Sequence, residues 1–165
     1  MLEKSLDEEK LLSVLTRHEV RFVLIGGLAA ILHGSPFVTE DIDITPEKSE
    51  ANLDRLSAAL KELHARIRVE DVPEGLTFDH SGESLAAAGV WNLVTDAGDF
   101  DISFMPNGTE GYKDLIRDAT EEPIGDVIVP VASLADIIRS KQAANRPKDQ
   151  RVLPTLREIL SRRND

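Results

Sequence analysis

Two aspartates lie one residue apart in the stretch TEDIDIT, at positions 41 and 43. Residues i and i+2 of a β-strand point to the same face, so Asp41 and Asp43 would project together while Ile42 and Ile44 enter the core. Two like charges that approach to ~4 Å repel by about 4 kcal/mol at an effective dielectric constant of about 20. A divalent cation between the carboxylates removes this repulsion, which predicts a Mg²⁺ site. Taken alone, the string DID is more typical of a solvent-facing strand, so the neighbouring residues decide between the two interpretations.

A second acidic pair follows in the stretch DAGDFDISF, where Asp99 and Asp101 would share one face of another strand. Either residue could join the first pair as a third carboxylate. Asp101 is the better candidate because it lies deeper in the strand, away from the turn predicted at residues 96–98. Three carboxylates suit two-metal phosphoryl transfer, in which one ion activates the attacking hydroxyl and the other holds a triphosphate.

Two glycines, Gly26 and Gly27, separate a short apolar strand from a small helix, upstream of the first acidic pair. Glycine lets the backbone approach a ligand closely, and the free N–H groups at a helix start can bind phosphate. A tight turn that needs positive φ would use the same two residues. The glycines are therefore candidates for binding a nucleotide phosphate, and they support the metal interpretation of the aspartates.

Hydrophobic spacing predicts the elements that must position these residues. It predicts helices over residues 5–18, 28–33, 46–64, 112–118, 133–144 and 148–162. It predicts strands over residues 21–25, 38–45, 67–69, 76–78, 91–95, 99–104 and 127–131. Thr45 would cap the third helix, with Pro46 as its first residue, and Pro154 would bend or delay the last helix. The mixture predicts an α+β (mixed α/β) fold with one central mixed β-sheet flanked by helices.

The length and composition favour a single domain without disulfides. The chain has 165 residues and no cysteine, which excludes zinc–thiolate sites and thiol nucleophiles. Its N-terminal stretch MLEKSLDEEK lacks the basic start and apolar run of a signal peptide, and no segment reaches the length of a membrane span. We therefore expect a cytoplasmic protein with no membrane partner.

Charge is distributed unevenly along the chain. The net charge is −11, which argues against non-specific binding to nucleic acid. Residues 139–165, however, hold eight Lys and Arg against three Asp and Glu. This basic segment is either a solvated helix or a basic wall that faces the acidic site.

The glycine and aspartate motifs together resemble the nucleotidyltransferase superfamily that includes DNA polymerase beta. Its pattern is a strand ending in Gly-Gly or Gly-Ser, a short helix, an Asp-x-Asp motif, and a third Asp on a later strand. In this sequence the pattern falls on residues that all carry candidate site roles, namely Gly26, Gly27, Asp41, Asp43 and Asp101.

A longer resemblance is to the small bacterial nucleotidyltransferase-like proteins of toxin–antitoxin and abortive-infection systems. It is carried by GDFDISF, GTEGYKDL and VPVASLADIIRSKQAANRPKDQRVLPTLREIL, and it covers about residues 20–162. In those proteins a Lys, Arg, Lys-Asp cluster accompanies the acidic site. The matching residues here are Lys141, Arg146, Lys148 and Asp149. One departure is the apolar Pro36-Phe37-Val38, where relatives often carry a basic residue.

The resemblance implies a minimal nucleotidyltransferase fold with C-terminal helices, in one domain over residues 1–165. Its core would span about residues 20–130, and its helical part about residues 131–165. The implied reaction transfers a nucleoside monophosphate from an NTP to an acceptor hydroxyl, with Mg²⁺ or Mn²⁺ as cofactor. The acceptor is left open between tRNA, a protein side chain and a small molecule such as an aminoglycoside. A cognate toxin or antitoxin protein is an expected partner.

Residue roles follow from the same resemblance. Asp41, Asp43 and Asp101 are expected to be the catalytic, metal-holding carboxylates, and Gly26 and Gly27 to bind phosphate. Three basic residues are expected to stabilise the triphosphate, namely Lys141, Arg146 and Lys148.

Two other interpretations stay open on the sequence. A non-catalytic module on the same fold would bind a nucleotide or a basic partner protein without turnover. A phosphatase with the motif D-x-D-x-T would use Asp41 as nucleophile and Asp43 as general acid, but it would leave Gly26 and Gly27 without a role.

Overall fold

The structure is a computed structural model and describes residues 5–163; residues 1–4 and 164–165 lie outside the described residues. The helices are α1 (Glu8–Arg17), α2 (Gly26–Leu32), α3 (Glu50–Glu62), α4 (Gly82–Ala86), α5 (Tyr112–Leu115), α6 (Leu134–Ala144) and α7 (Pro147–Arg163). The strands are β1 (Phe22–Ile25), β2 (Asp41–Pro46), β3 (Arg66–Val69), β4 (Val72–Leu76), β5 (Val90–Thr95), β6 (Gly98–Ser103), β7 (Thr120–Ile124) and β8 (Val127–Val131).

All of these strands form one eight-stranded sheet in the order β4-β3-β5-β6-β2-β1-β8-β7. Two pairs of strands are parallel, β2 with β6 and β1 with β8, and the other neighbours are antiparallel. The predicted mixed sheet flanked by helices is therefore confirmed. The central pair, β2 and β6, consists of the two strands that carry the acidic motifs.

The core lies against one face of these central strands. Ile42, Ile44, Phe100 and Ile102 are each completely buried, and they alternate with the aspartates as the period of a strand requires. Helices α1 and α3 complete this core with buried leucines, among them Leu11, Leu15, Leu53, Leu56 and Leu60. Burial of one face thus fixes which face of β2 and β6 carries the carboxylates.

The predicted start of the third helix is wrong. Pro46 is the last residue of β2, paired with Phe22 on β1, and Thr45 is completely buried rather than a cap. The cap of α3 is Ser49, whose hydroxyl accepts a hydrogen bond from the Asn52 backbone at 3.3 Å. Pairing with β1 extends β2 because Pro46 needs no ladder donor at the end of a strand.

Two elements were missed, and one strand was misplaced. Helix α4 is a single turn held by a reciprocal Ser81–Ser84 capping box, too short to show periodicity. Strand β7 lies at the sheet edge and contains Pro123, a residue that argues against strand in a sequence. The strand predicted at residues 76–78 lies instead at Val72–Leu76.

The two C-terminal helices form within one residue of their predicted bounds, but Pro154 does not delay the last one. Ser133 caps α6, which ends at Asn145 in the left-handed conformation, with φ of 52°. Pro147 then opens α7 at the position where proline is best tolerated, and α7 continues through Pro154. No helix within residues 5–163 is long and apolar enough to cross a membrane.

Candidate active site

Three carboxylates converge on the open face of the central strands. Asp41, Asp43 and Asp101 each offer an oxygen, and these oxygens all lie within 4.8 Å of one another. All three residues are partly buried, and all three line one large cavity of about 750 Å³. The structure thus brings together the three aspartates that the sequence singled out.

The register of β2 and β6 sets their aspartates side by side, and Asp101 is the one whose carboxylate joins Asp41 and Asp43. The parallel ladder sets Asp43 opposite Asp101 and Asp41 opposite Asp99. On its other side Asp101 faces Asn92 of β5, which is antiparallel to β6. Oδ2 of Asp99 lies 3.5 Å from Nη1 of Arg68. A transverse row of polar side chains therefore crosses the sheet from β2 through β6 to β5.

The electrostatics of the triad are those of crowded like charges. Burial raises the pKa of Asp43 well above its usual range, and the neighbouring Asp41 and Asp101 charges raise it further, while Lys148 opposes them. Burial also raises the pKa of Asp101 to about 6, with Arg68 opposing the shift and Asp41 adding to it. The folded chain therefore holds negative charge here that lacks sufficient compensation from its own cations.

The two glycines begin α2 rather than form a separate turn, and the first of them lies against a carboxylate. Gly26 has φ of +73°, and a Cβ atom placed on it would lie 2.3 Å from Oδ2 of Asp43. A Cβ on Gly27 would lie 2.7 Å from Oγ1 of Thr39. Both glycines line the cavity, so their small size brings α2 against the acidic strand.

Three basic residues from α6, α7 and the connection between them line the same cavity, but two of the three are already paired. Asp149 is completely buried and accepts hydrogen bonds from Arg146 at 2.7 Å to Nε and 3.1 Å to the backbone N. Lys141 Nζ lies 3.8 Å from the same carboxylate. Lys148 is exposed on the cavity wall, and its charge acts on Asp43. The interpretation as a basic wall facing the acidic site therefore matches the placement of these residues.

The pKa values of this cluster follow from its burial. Burial would raise the pKa of Asp149, but hydrogen bonds and charge from Arg146 outweigh it and hold that pKa below its usual range. Burial lowers the pKa of Lys141, and the Asp149 charge offsets only part of this effect. Asp149 is thus the ionised anchor that orients Lys141 and Arg146 beside the cavity.

Sequence reasoning missed Arg68 and Asn92. Arg68 forms an ion pair with Asp101 through Nη2, and its side chain is 25% exposed. Asn92 faces Asp101 across the β5–β6 ladder and lines the cavity. The alternation in the run RIRV, residues 66–69, was the available signal, because it sets Arg66 and Arg68 on one face of a strand.

A family model described as the nucleotidyl transferase AbiEii toxin of type IV toxin–antitoxin systems matches residues 10–154. The chain belongs to this AbiEii family. The predicted membership of the nucleotidyltransferases is therefore confirmed, and the family assignment replaces the phosphatase interpretation of Asp41 and Asp43. Among curated proteins, none matches the sequence.

Solved structures of the same fold are similar over nearly the whole chain. The lincosamide antibiotic adenylyltransferase LnuA, solved with lincomycin bound, is 17% identical with a TM-score of 0.62, covering 95% of this chain and 99% of that one. The antibiotic-resistance factor ANT(2'')-Ia is 16% identical with a TM-score of 0.54, covering 94% and 90%. A Thermotoga maritima protein assigned as a nucleotidyltransferase is 19% identical with a TM-score of 0.53, covering 93% and 90%. These likenesses confirm the nucleotidyltransferase fold.

Nucleotidyltransferases typically use divalent metal ions, and the residues of this AbiEii-family chain fit one. The donor set is three carboxylates, the hard oxygen ligands that Mg²⁺ and Mn²⁺ prefer. The raised pKa of Asp43 means that its ionised form is disfavoured, and a bound cation would stabilise that form. The donors and their charge therefore both suit a divalent cation.

Proposed function

We propose that the chain transfers a nucleoside monophosphate from an NTP to an acceptor hydroxyl in a Mg²⁺-dependent reaction. The observation that carries the proposal is the convergence of Asp41, Asp43 and Asp101 in one cavity with the basic residues of α6 and α7. Bound Mg²⁺ would supply activation of the hydroxyl and charge compensation for the triphosphate. That chemistry needs both the acidic and the basic residues of this cavity.

The acidic residues of the chain would hold the metal, and the basic residues would act on the phosphates. Asp41 and Asp43 would hold metal beside the triphosphate, and Asp101 would hold it on the side where the acceptor hydroxyl enters. Lys148, the exposed cation of the cluster, would contact the phosphates directly. Lys141 and Arg146 would contribute charge from positions that Asp149 fixes. Gly26 and Gly27 would leave the cavity open for the phosphates beside Asp43.

We propose that residues of the core (about 20–130) and of the C-terminal helical part (about 131–165) act together as one domain. The acidic residues come from β2 and β6, whereas the basic residues come from α6, α7 and the connection between them, and all of them line the same cavity. Neither part alone carries both sets of charges. A truncation before α6 would therefore remove the basic residues that are proposed to stabilise the triphosphate.

The acceptor is proposed from the three classes that the sequence leaves open: tRNA, a protein hydroxyl and a small molecule. Exposed apolar side chains on the cavity wall, Phe37, Val38, Val90 and Met105, favour a substrate with an apolar face. The structural relatives LnuA and ANT(2'')-Ia are antibiotic adenylyltransferases by their descriptions, which supports including small molecules in an acceptor screen. Membership of the AbiEii family supports a role as the toxin of a pair, with an antitoxin as partner.

The proposal is tested by calorimetric titration of each NTP, with and without Mg²⁺, into the wild type and Asp43→Asn. We expect at least one NTP to bind only with Mg²⁺, and that binding to be lost in the variant. Asp118→Asn is the matched control, because Asp118 is exposed and outside the cavity. NTP binding that is unchanged both without Mg²⁺ and in Asp43→Asn would refute the proposal.

A second experiment separates an enzyme from a non-catalytic module. The wild type and Asp101→Asn are incubated with the NTP that binds, labelled on the α-phosphate, and with candidate acceptors from the three classes. Label transferred by the wild type alone is the expected result. Tight Mg²⁺–NTP binding without transfer to any acceptor class would favour the module.

A further inference from the structure

Arg68 lies beside Asp101, on the side of the triad where the acceptor hydroxyl is proposed to enter. Its guanidinium forms an ion pair with Asp101, and its Nη1 lies 3.5 Å from Oδ2 of Asp99. The register Arg66–Val94 and Ile67–Leu93 between β3 and β5 sets Arg68 beside Asn92, on the face that carries Asp101. Arg68 therefore extends the polar row of the sheet by one strand.

The guanidinium and a metal ion compete for the same charge. Arg68 is in direct contact with the Asp101 carboxylate through Nη2 of its guanidinium. A divalent cation held by Asp101 would lie at close range from this positive charge, and the two cations would repel each other. Asp101 would therefore stabilise the Arg68 guanidinium most when no metal ion is bound, and a metal ion most when Arg68 is displaced.

A second cavity beside Arg68 can accept its side chain when it leaves Asp101. This cavity of about 610 Å³ adjoins the first and is lined by Arg68, Val69, Glu70, Pro73, Asn92 and Asp101. Asp101 and Asn92 line both cavities, so they stand at the boundary between them. Glu70 is exposed on the wall of the second cavity and offers a carboxylate near the β3 end.

We propose that Arg68 is the internal counter-ion of Asp101, and that the triad takes up its divalent cation by displacing Arg68 into the second cavity. The inference rests on the metal dependence proposed above. It makes Arg68 a positioning residue, which acts on Asp101 and not on the substrate in the metal-free state. Displacement also moves the guanidinium away from Asp101 and further into the second cavity, whose wall Arg68 already forms. Metal uptake and the charge of the acceptor side are thus coupled through one side chain.

The test is titration of MnCl₂ alone, without nucleotide, into the wild type, Arg68→Gln, Arg68→Met and Arg68→Lys. Removing a competing charge is expected to tighten Mn²⁺ binding about tenfold in Arg68→Gln and Arg68→Met. Arg68→Lys keeps the competing charge, so its Mn²⁺ affinity is expected to stay within about twofold of the wild type. A residue that merely held Asp101 in place would give weaker binding in Arg68→Gln, which is the opposite sign.

The matched control is Arg66→Gln, since Arg66 lies on the same strand but pairs with Asp96. Its Mn²⁺ affinity is expected to equal that of the wild type. Unchanged or weaker binding in both Arg68→Gln and Arg68→Met would overturn the inference while leaving the proposed function intact. Mn²⁺ binding that is absent in every variant, or insensitive to Asp43→Asn, would instead overturn the proposed function and this inference together.

Discussion

Gly26 lies against the carboxylate of Asp43 so closely that a Cβ atom on residue 26 would stand 2.3 Å from Oδ2. Its φ of +73° places the same residue in the left-handed region. Glycine is therefore required here twice, once by its backbone conformation and once by the side chain it faces. The Gly-Gly motif and the Asp-x-Asp motif are one packing unit.

We expect Gly26→Ala to reduce both stability and nucleotide binding. The left-handed backbone should cost about 1–2 kcal/mol in the free energy of unfolding. The new methyl group must also displace Asp43, so Mg²⁺–NTP binding should weaken more than tenfold. Urea unfolding and calorimetry measure the two effects.

Gly89→Ala is the control for this substitution, because a Cβ there would meet nothing within 4 Å. Its stability should lie within about 0.5 kcal/mol of the wild type. Equal losses in the two variants would contradict the role assigned to the Gly26–Asp43 contact.

Asp43→Asn should stabilise the metal-free protein while abolishing metal binding. The raised pKa of Asp43 means that its ionised form is less favourable in the folded chain than in the unfolded chain at neutral pH. We expect the variant to gain about 1 kcal/mol in EDTA at pH 7, a rise in Tm of about 3 °C. Added Mg²⁺ should stabilise the wild type only. A variant less stable than the wild type in EDTA would rule out unrelieved repulsion in the triad.

Asp149→Asn should be strongly destabilising. The substitution leaves Arg146 and the half-buried Lys141 without their shared carboxylate, at a cost of about 3 kcal/mol. Glu158→Gln is the matched control on the same helix, because its exposed ion pair with Arg162 is worth less than about 1 kcal/mol. Thermal unfolding of both variants compares a buried with a surface ion pair.

The effect of Asp149 should depend on pH with a definite sign. Its pKa is lower in the folded than in the unfolded chain, so its contribution is present above the usual carboxyl range and is lost on acidification. The stability gap between the wild type and Asp149→Asn should therefore be constant near neutrality and narrow below about pH 4. A gap that widens on acidification would show that Asp149 does not act as an ionised anchor.

Lys148→Met should weaken Mg²⁺–NTP binding about tenfold with little change in stability. Lys148 is exposed and, unlike Lys141 and Arg146, forms no ion pair with Asp149 within the described residues. Lys113→Met, an exposed lysine outside the cavity, should leave the dissociation constant unchanged. Similar losses from both lysines would point to a general charge effect and not to a phosphate contact.

The parts of the site that lie within one element could be predicted from the sequence. The alternation of Asp41, Asp43 and Asp101 with apolar residues encodes both strand and face, because burial of the apolar residues fixes the orientation of the carboxylates. Ser133 at the start of α6 and Pro147 at the start of α7 are likewise local signals, and both helices begin within one residue of the predicted position.

The parts that depend on pairing between distant strands could not be predicted. Depth in the strand favoured Asp101 over Asp99, which agrees with the observed triad, but the parallel pairing of β2 with β6 that brings the carboxylates together has no local signal. Arg68 was missed because β3 reaches β6 only across β5, and no local pattern states that order. The pairing of Lys141 with Asp149 was missed because the two residues lie on different helices, which meet only after folding.

The register between β2 and β6 also has a genetic consequence. Asp101 and Phe100 point to opposite faces of the same strand, one into the cavity and one into the core. Deleting a single codon within β6 would exchange these faces, so that a carboxylate would enter the core as an aromatic ring left it. Point substitutions in this strand can be graded in effect, whereas a one-codon deletion removes folding and chemistry in a single event. The number of residues in this strand, Gly98–Ser103, is thus under tighter constraint than the identities of most of them.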